Sequence, residues 1–249
     1  DLFGGLFRRF GAERRGLAEV ELQRRESDLM PRAFPWIRNR EEALVLSAEW
    51  DSFDRHSFPE QGLLLRSRLL AGRTETRIRT APEPSATREN LRGAYLLARA
   101  LMPDLAGPVG VDLAAEAGMG WHTLLVADRQ YLLGGDASLI GTPSTRFLAP
   151  NFAILRAGLP VPLRRAFGGQ VQVVPRLDWG RFAQDPNRLT AGMRVLGQGV
   201  LVRGAVGKFR IETGWGRIKV RPFGPGPVRT EQQLNILVGA RPFDLWGRK

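Results

Sequence analysis

Two histidines, His56 and His122, are the only side chains in 249 residues that titrate near neutrality when unperturbed. His56 lies in the polar run Asp51-Ser-Phe-Asp-Arg-His-Ser, expected to be a loop between strands, where an imidazole could act as a general base. The alternative is a solvated loop side chain. His122 follows Trp121 at the head of an expected strand and reads as packed. With no cysteine, disulfides and thiolate metal sites are excluded, and two histidines alone make no His-rich metal site. No metal and no cofactor are expected.

The richer pattern is cationic. Residues 1–150 hold 20 Lys+Arg against 20 Asp+Glu, whereas residues 151–249 hold 17 against 5, so the whole net charge of +12 belongs to the C-terminal part. Charge this lopsided is the footprint of a polyanion binder. It concentrates in Gly207-Lys-Phe-Arg-Ile-Glu-Thr-Gly-Trp-Gly-Arg-Ile-Lys-Val-Arg221. A two-residue turn at Thr213-Gly214 would make this a hairpin, with Glu212 opposite Trp215, Arg210 opposite Arg217 and Lys208 opposite Lys219. Like charges facing each other destabilise a sheet unless an anion bridges them. Phosphates would do so, and Trp215 could stack on a base, so the expected partner is RNA. A solvated hairpin in an Arg-rich chain is the plain alternative.

The same segment resembles the glycine-rich signature of the RAMP superfamily of CRISPR-associated proteins, a basic turn followed by Gly–aromatic–Gly and a basic strand. Among its members the chain is most similar to the repeat-processing endoribonucleases, in their type IV variant. The resemblance implies metal-independent cleavage of CRISPR repeat RNA by attack of a ribose 2′-OH, with the mature guide RNA retained. It implies a base or phosphorane-stabilising residues, for which the candidates are His56, Arg24, Arg38 and Arg241. RNA contacts would come from Lys208, Arg210, Trp215, Arg217, Lys219 and Arg221, joined by Arg25 and Arg40. The expected partners are a repeat hairpin and other subunits of a CRISPR ribonucleoprotein. Two alternatives stand beside this: a non-catalytic RNA-binding subunit, and a structural or phage-type assembly protein docking through its aromatic N-terminus.

The elements that would position these groups read as α+β. Leu2, Phe3, Leu6, Phe7 and Phe10 share a helical stripe, and residues 1–42 are expected to form an N-terminal helical region. Strands are expected at Ala43–Trp50, Leu63–Leu70, Thr74–Thr80, His122–Ala127, Gln130–Leu133 and Gln170–Val174, with Ala71-Gly72-Arg73 as a turn. Leu91, Ala94, Tyr95, Ala98, Leu101 and Met102 mark a helix from Thr87, and Thr230-Glu231 would cap another through Val238. The fold class is thus RRM-like or ferredoxin-like, possibly in tandem, with domains at 1–42, 43–150 and 151–249. No apolar run approaches a helical membrane span and no signal peptide is visible. A cytoplasmic protein with no membrane partner is the expectation.

Overall fold

The computed structural model describes residues 2–10, 15–29, 36–54, 61–79, 84–121, 131–133, 139–143, 147–166, 169–206 and 209–240. They form β1 (Leu2–Phe10), β2 (Gly16–Leu29), β3 (Trp36–Asp51), β4 (Gly62–Arg79), β5 (Pro84–Ala106), β6 (Val109–Gly120), β7 (Tyr131–Leu133) and β8 (Phe147–Ala149). Then come β9 (Asn151–Gly158), β10 (Val161–Ala166), β11 (Gly169–Ala183), β12 (Met193–Val206), β13 (Phe209–Arg221) and β14 (Arg229–Ala240). Among the described residues the only helix is a 3₁₀ segment, Pro186–Ala191. None is long and apolar enough to cross a membrane.

One antiparallel sheet runs in the order β1-β2-β3-β4-β5-β6-β9-β11-β12-β13-β14. β10 continues the line of β9 beside the first part of β11, and β7 pairs with β8 apart from the sheet. No pairing of β1 with β14 is found among the described residues. From β5 onward the connections differ in length between the two ends. One end carries 121–150, 184–192 and 222–228, and at the other only residues 107–108, 167–168 and 207–208 separate one strand from the next. Before β5 they do not, since 52–61 falls at that second end and 80–83 at the first.

The expected α+β class does not hold. The expected N-terminal helical region is β1, β2 and the start of β3; the expected helix from Thr87 lies inside β5, and that from Thr230 is β14. In β5 apolar residues stand on both faces. Leu91 and Leu101 are buried on one, and Ala94, Leu96, Ala98 and Met102 line the other. A two-sided apolar run has no readable period, so helix and strand look alike. In β14 a Thr-Glu capping signal outweighed the alternation of Leu234 and Ile236 against Gln233 and Asn235. The Ala71–Arg73 turn is also absent, because β4 runs straight through it. The strands expected at Ala43–Trp50, Leu63–Leu70 and Gln170–Val174 lie within β3, β4 and β11. His122–Ala127 lies outside the described residues. The boundary expected at residue 42 falls inside β3, and that at 150 falls between β8 and β9.

The sheet is strongly curved. β6 and β12 stand three steps apart in the strand order. On a flat sheet that is roughly 14 Å. Yet Asp112 Oδ2 on β6 and Arg203 Nη1 on β12 are 3.6 Å apart. Their side chains meet across a concave face. Against that face lie the described parts of the 121–150 connection, whose Leu139, Ile140 and Thr142 are fully buried. Leu133, Leu139, Phe147, Phe152, Ile154, Phe182, Val195 and Ile218 form the main core around it.

Candidate functional site

Beside this apolar core the concave face also carries a cluster of charged side chains. Alternation sends Tyr95 and Arg99 of β5, Asp112 and Glu116 of β6, Arg156 of β9, Arg176 and Asp178 of β11, Arg203 of β12 and Glu212 of β13 inward together. They pair almost completely. Arg99 grips Asp112 through two bonds, Nη2 to Oδ2 at 2.7 Å and Nε to Oδ1 at 2.9 Å. Arg203 Nε lies 3.0 Å from Glu212 Oε2. Glu116 accepts from the Tyr95 hydroxyl at 3.0 Å and from Arg156 Nη2 at 3.2 Å. Such groups survive burial only when paired and hydrogen-bonded.

Asp178 joins this network to the inserted connection. One of its oxygens accepts from Arg176 Nε at 2.6 Å, and the other from the backbone N–H of Ile140 at 2.6 Å. From the far side, Asn235 Nδ2 of β14 donates to Thr142 O at 3.1 Å. The connection also rests on bare backbone. A Cβ on inward-facing Gly216 would come within 2.6 Å of Gly141 N, and one on Gly199 within 2.8 Å of Ile140 Cδ1. Gly141 itself has φ +79, a conformation other residues rarely adopt. Asn151, fully buried, accepts from Gly120 N and donates to Gln184 O, tying the start of β9 to two neighbouring segments. Toward the long-connection end, a cavity of about 470 Å³ is lined by Phe147, Phe182, Asp185, Arg188, Met193 and Phe223.

The convex face is the reverse. Val20, Leu22, Leu44, Leu46, Leu63, Leu65, Leu69, Leu96, Leu113, Leu155, Leu177, Leu196, Val200, Trp215, Leu234 and Ile236 are all exposed there. The register places them side by side across the strands. Leu22 faces Leu44, Leu46 faces Leu69, and Trp215 has Val200 on one side and Leu234 on the other. Charged side chains resume beyond this band, toward the long-connection end.

This geometry removes the expected RNA hairpin. Phe209–Arg221 is one uninterrupted strand, so Thr213-Gly214 is no turn. Across from it, Arg210 faces Ala205, Trp215 faces Val200, Arg217 faces Gln198 and Lys219 faces Leu196. None of the three pairs expected across that turn exists. Trp215, Arg217, Lys219 and Arg221 are exposed together on the convex face. Arg24, Arg38 and Arg40 stand exposed on β2 and β3 of that same face, separated from β13 by most of the sheet; Arg25 and Arg210 are placed by backbone on β2 and β13. His56, Lys208 and Arg241 lie outside the described residues. No set of His, Asp or Glu suited to a metal ion occurs among the described residues. Sequence reasoning missed Asp178, Thr142, Asn151 and Asn235. The usable signal was Val171, Val173, Leu177 and Trp179 alternating with Gln172, Arg176 and Asp178.

No family model matches the chain, and no curated protein matches it. Among solved structures, the crystal structure of the beta domain of the Bordetella autotransporter BrkA aligns over 94% of this chain and 86% of that one. The identity is 14% and the TM-score 0.42, a likeness too low to carry an assignment. The RAMP resemblance is therefore corrected. Its residues form a continuous strand of an all-β sheet, with Gly216 seating the inserted connection rather than approaching RNA. CRISPR RNA cleavage, the RNA-binding alternative, and the repeat-RNA and ribonucleoprotein partners fall with the hairpin that carried them. The expectations of a cytoplasmic location and no membrane partner fail as well. They rested on the absence of apolar helices, and the apolar surface here is carried by strands. A contiguous exposed band of this kind is foreign to soluble monomers.

Proposed function

We propose that this chain is a membrane-spanning β-barrel domain of the outer-membrane type, its polar interior occluded by its own 121–150 connection. The observation that carries this is the outer face: a continuous leucine-rich band is exposed there, while paired charges stand inside next to the core. Outward-facing apolar or small residues run over Leu63–Ala71 on β4, Ala94–Met102 on β5, Val171–Trp179 on β11 and Leu196–Gly204 on β12, nine residues each, interrupted by Ser67 and Gln198. A tilted strand needs about 9–11 residues to cross the hydrocarbon. Aromatic rings mark both borders, Phe10 against Trp50 at one and Trp121 and Trp179 at the other. The longest connection, 121–150, shares its end with 184–192 and 222–228, as long loops share the outer side of such barrels, although 52–61 lies at the opposite end. Unpaired strand edges are not tolerated in lipid, so β1 and β14 must be joined there, directly or through a further strand.

The test is insertion. Refolded with phosphatidylcholine vesicles, the full chain should float with the lipid after an alkaline wash and show a strand-dominated circular dichroism spectrum. A chain that stays monodisperse in detergent-free buffer and sediments away from the vesicles would overturn the assignment.

A further inference from the structure

The outer charges of the long-connection end differ around the sheet. On β2–β5 they cancel locally: Arg24 lies 3.9 Å from Glu42, Arg40 lies 3.7 Å from Glu26, and Arg88 lies 3.3 Å from Glu75. On β11–β13 they do not. Arg181 faces Arg194 and Arg194 faces Arg221, three cations in one cross-strand row. Lys219 stands one outward position below, level with Leu196 and Trp179, and Arg217 one below that. Among the described residues no acidic partner is recorded for Arg194, Arg217, Lys219 or Arg221. Arg181 is held in place by Thr190 O, 2.6 Å from its Nη1, and by the Trp179 ring, 5.1 Å from its Cζ. Its Nε remains buried without a hydrogen-bond partner among the described residues. Directly below, an open apolar groove of about 570 Å³ is lined by Leu113, Leu159, Leu177, Val200 and Trp215 and reaches Arg217.

We infer that this is a binding site for a phosphate-bearing membrane lipid, an acyl chain lying in the groove and the headgroup phosphates bridging the Arg181–Arg194–Arg221 row. The inference rests on the membrane assignment. Facing cations repel unless an anion joins them, and guanidinium forks hold phosphate through paired hydrogen bonds. The long aliphatic stems of Arg217 and Lys219 let both climb from the apolar band toward the same headgroup. A free phosphate would satisfy the cations but leave the groove unused.

Native mass spectrometry of the full chain, released from micelles containing equal amounts of lipid A and phosphatidylcholine, tests this. Lipid A, with two phosphates, should be retained about tenfold over phosphatidylcholine, in line with the attraction of clustered Lys and Arg to anionic lipid. The variant Arg181→Gln/Arg194→Gln/Arg221→Gln should fall to near parity. Arg24→Gln/Arg40→Gln/Arg88→Gln, equal in charge removed, should keep the preference. Parity in the unmodified chain, an unchanged preference in the first variant, or displacement of the lipid by excess inorganic phosphate would overturn the lipid site. Flotation of the same preparations separates the two claims. A chain that floats without lipid A preference loses only the lipid site, and one that does not float loses both.

Discussion

The two halves of the concave face carry Arg–carboxylate ion pairs under opposite conditions. On β3 and β4, Arg66 Nε lies 2.8 Å from Glu49 Oε2, with the side chains 48% and 36% exposed. On β11, Arg176 and Asp178 are 7% and 0% exposed. The difference lies in the 121–150 connection, whose described residues pack against β11, β12 and β13 and do not touch Arg66 or Glu49. An ion pair in the open half is bathed in water and adds little; in the packed half it is part of the filling. The charges are alike, and solvent decides the energy.

That contrast can be broken most forcefully at Asp178. Asp178→Ala leaves Arg176 buried without its carboxylate and Ile140 N without an acceptor, and should cost about 3–5 kcal/mol in urea unfolding from lipid vesicles. Next comes the outer band. Leu96→Arg should destabilise by about 2–4 kcal/mol in vesicles if it lies at mid-depth. A change within ±0.5 kcal/mol is the outcome expected of an ordinary water-exposed position. Gly216→Ala should cost about 1–3 kcal/mol by forcing a methyl group against Gly141. It should also loosen the inserted connection, read as raised ion conductance across a planar bilayer. The smallest effect belongs to the open half, where Arg66→Gln should cost less than about 1 kcal/mol by the same unfolding measurement. Were Arg66→Gln to match Asp178→Ala, the division into wet and dry halves would be wrong.

Much of the strand content was legible at Ala43–Trp50, Leu63–Leu70 and Gln170–Val174, where leucine and valine are interleaved with a few polar residues. What stayed hidden was which face looks inward. Charged faces are solvent-facing in an ordinary soluble sheet and are not so here, and the alternation around Arg176 and Asp178 gives no sign that these two are interior. The C-terminal charge excess was real, and five of its cations do share one face on β11–β13. The partner inferred from it went wrong because Thr213-Gly214 looks locally like a turn. Only the pairing of β13 with β12 and β14 along its whole length reveals an uninterrupted strand. The inward glycines of β12 and β13 were equally ambiguous, since close approach of backbone can serve a ligand or the chain itself.

Asn235 and Thr142 are 93 residues apart in the chain, and their bond joins the last strand to the contents of the sheet. Contacts so distant in sequence form late and slowly. Through this bond β14 clamps the 139–143 segment from the side opposite Asp178, so the segment is held between β11 and β14.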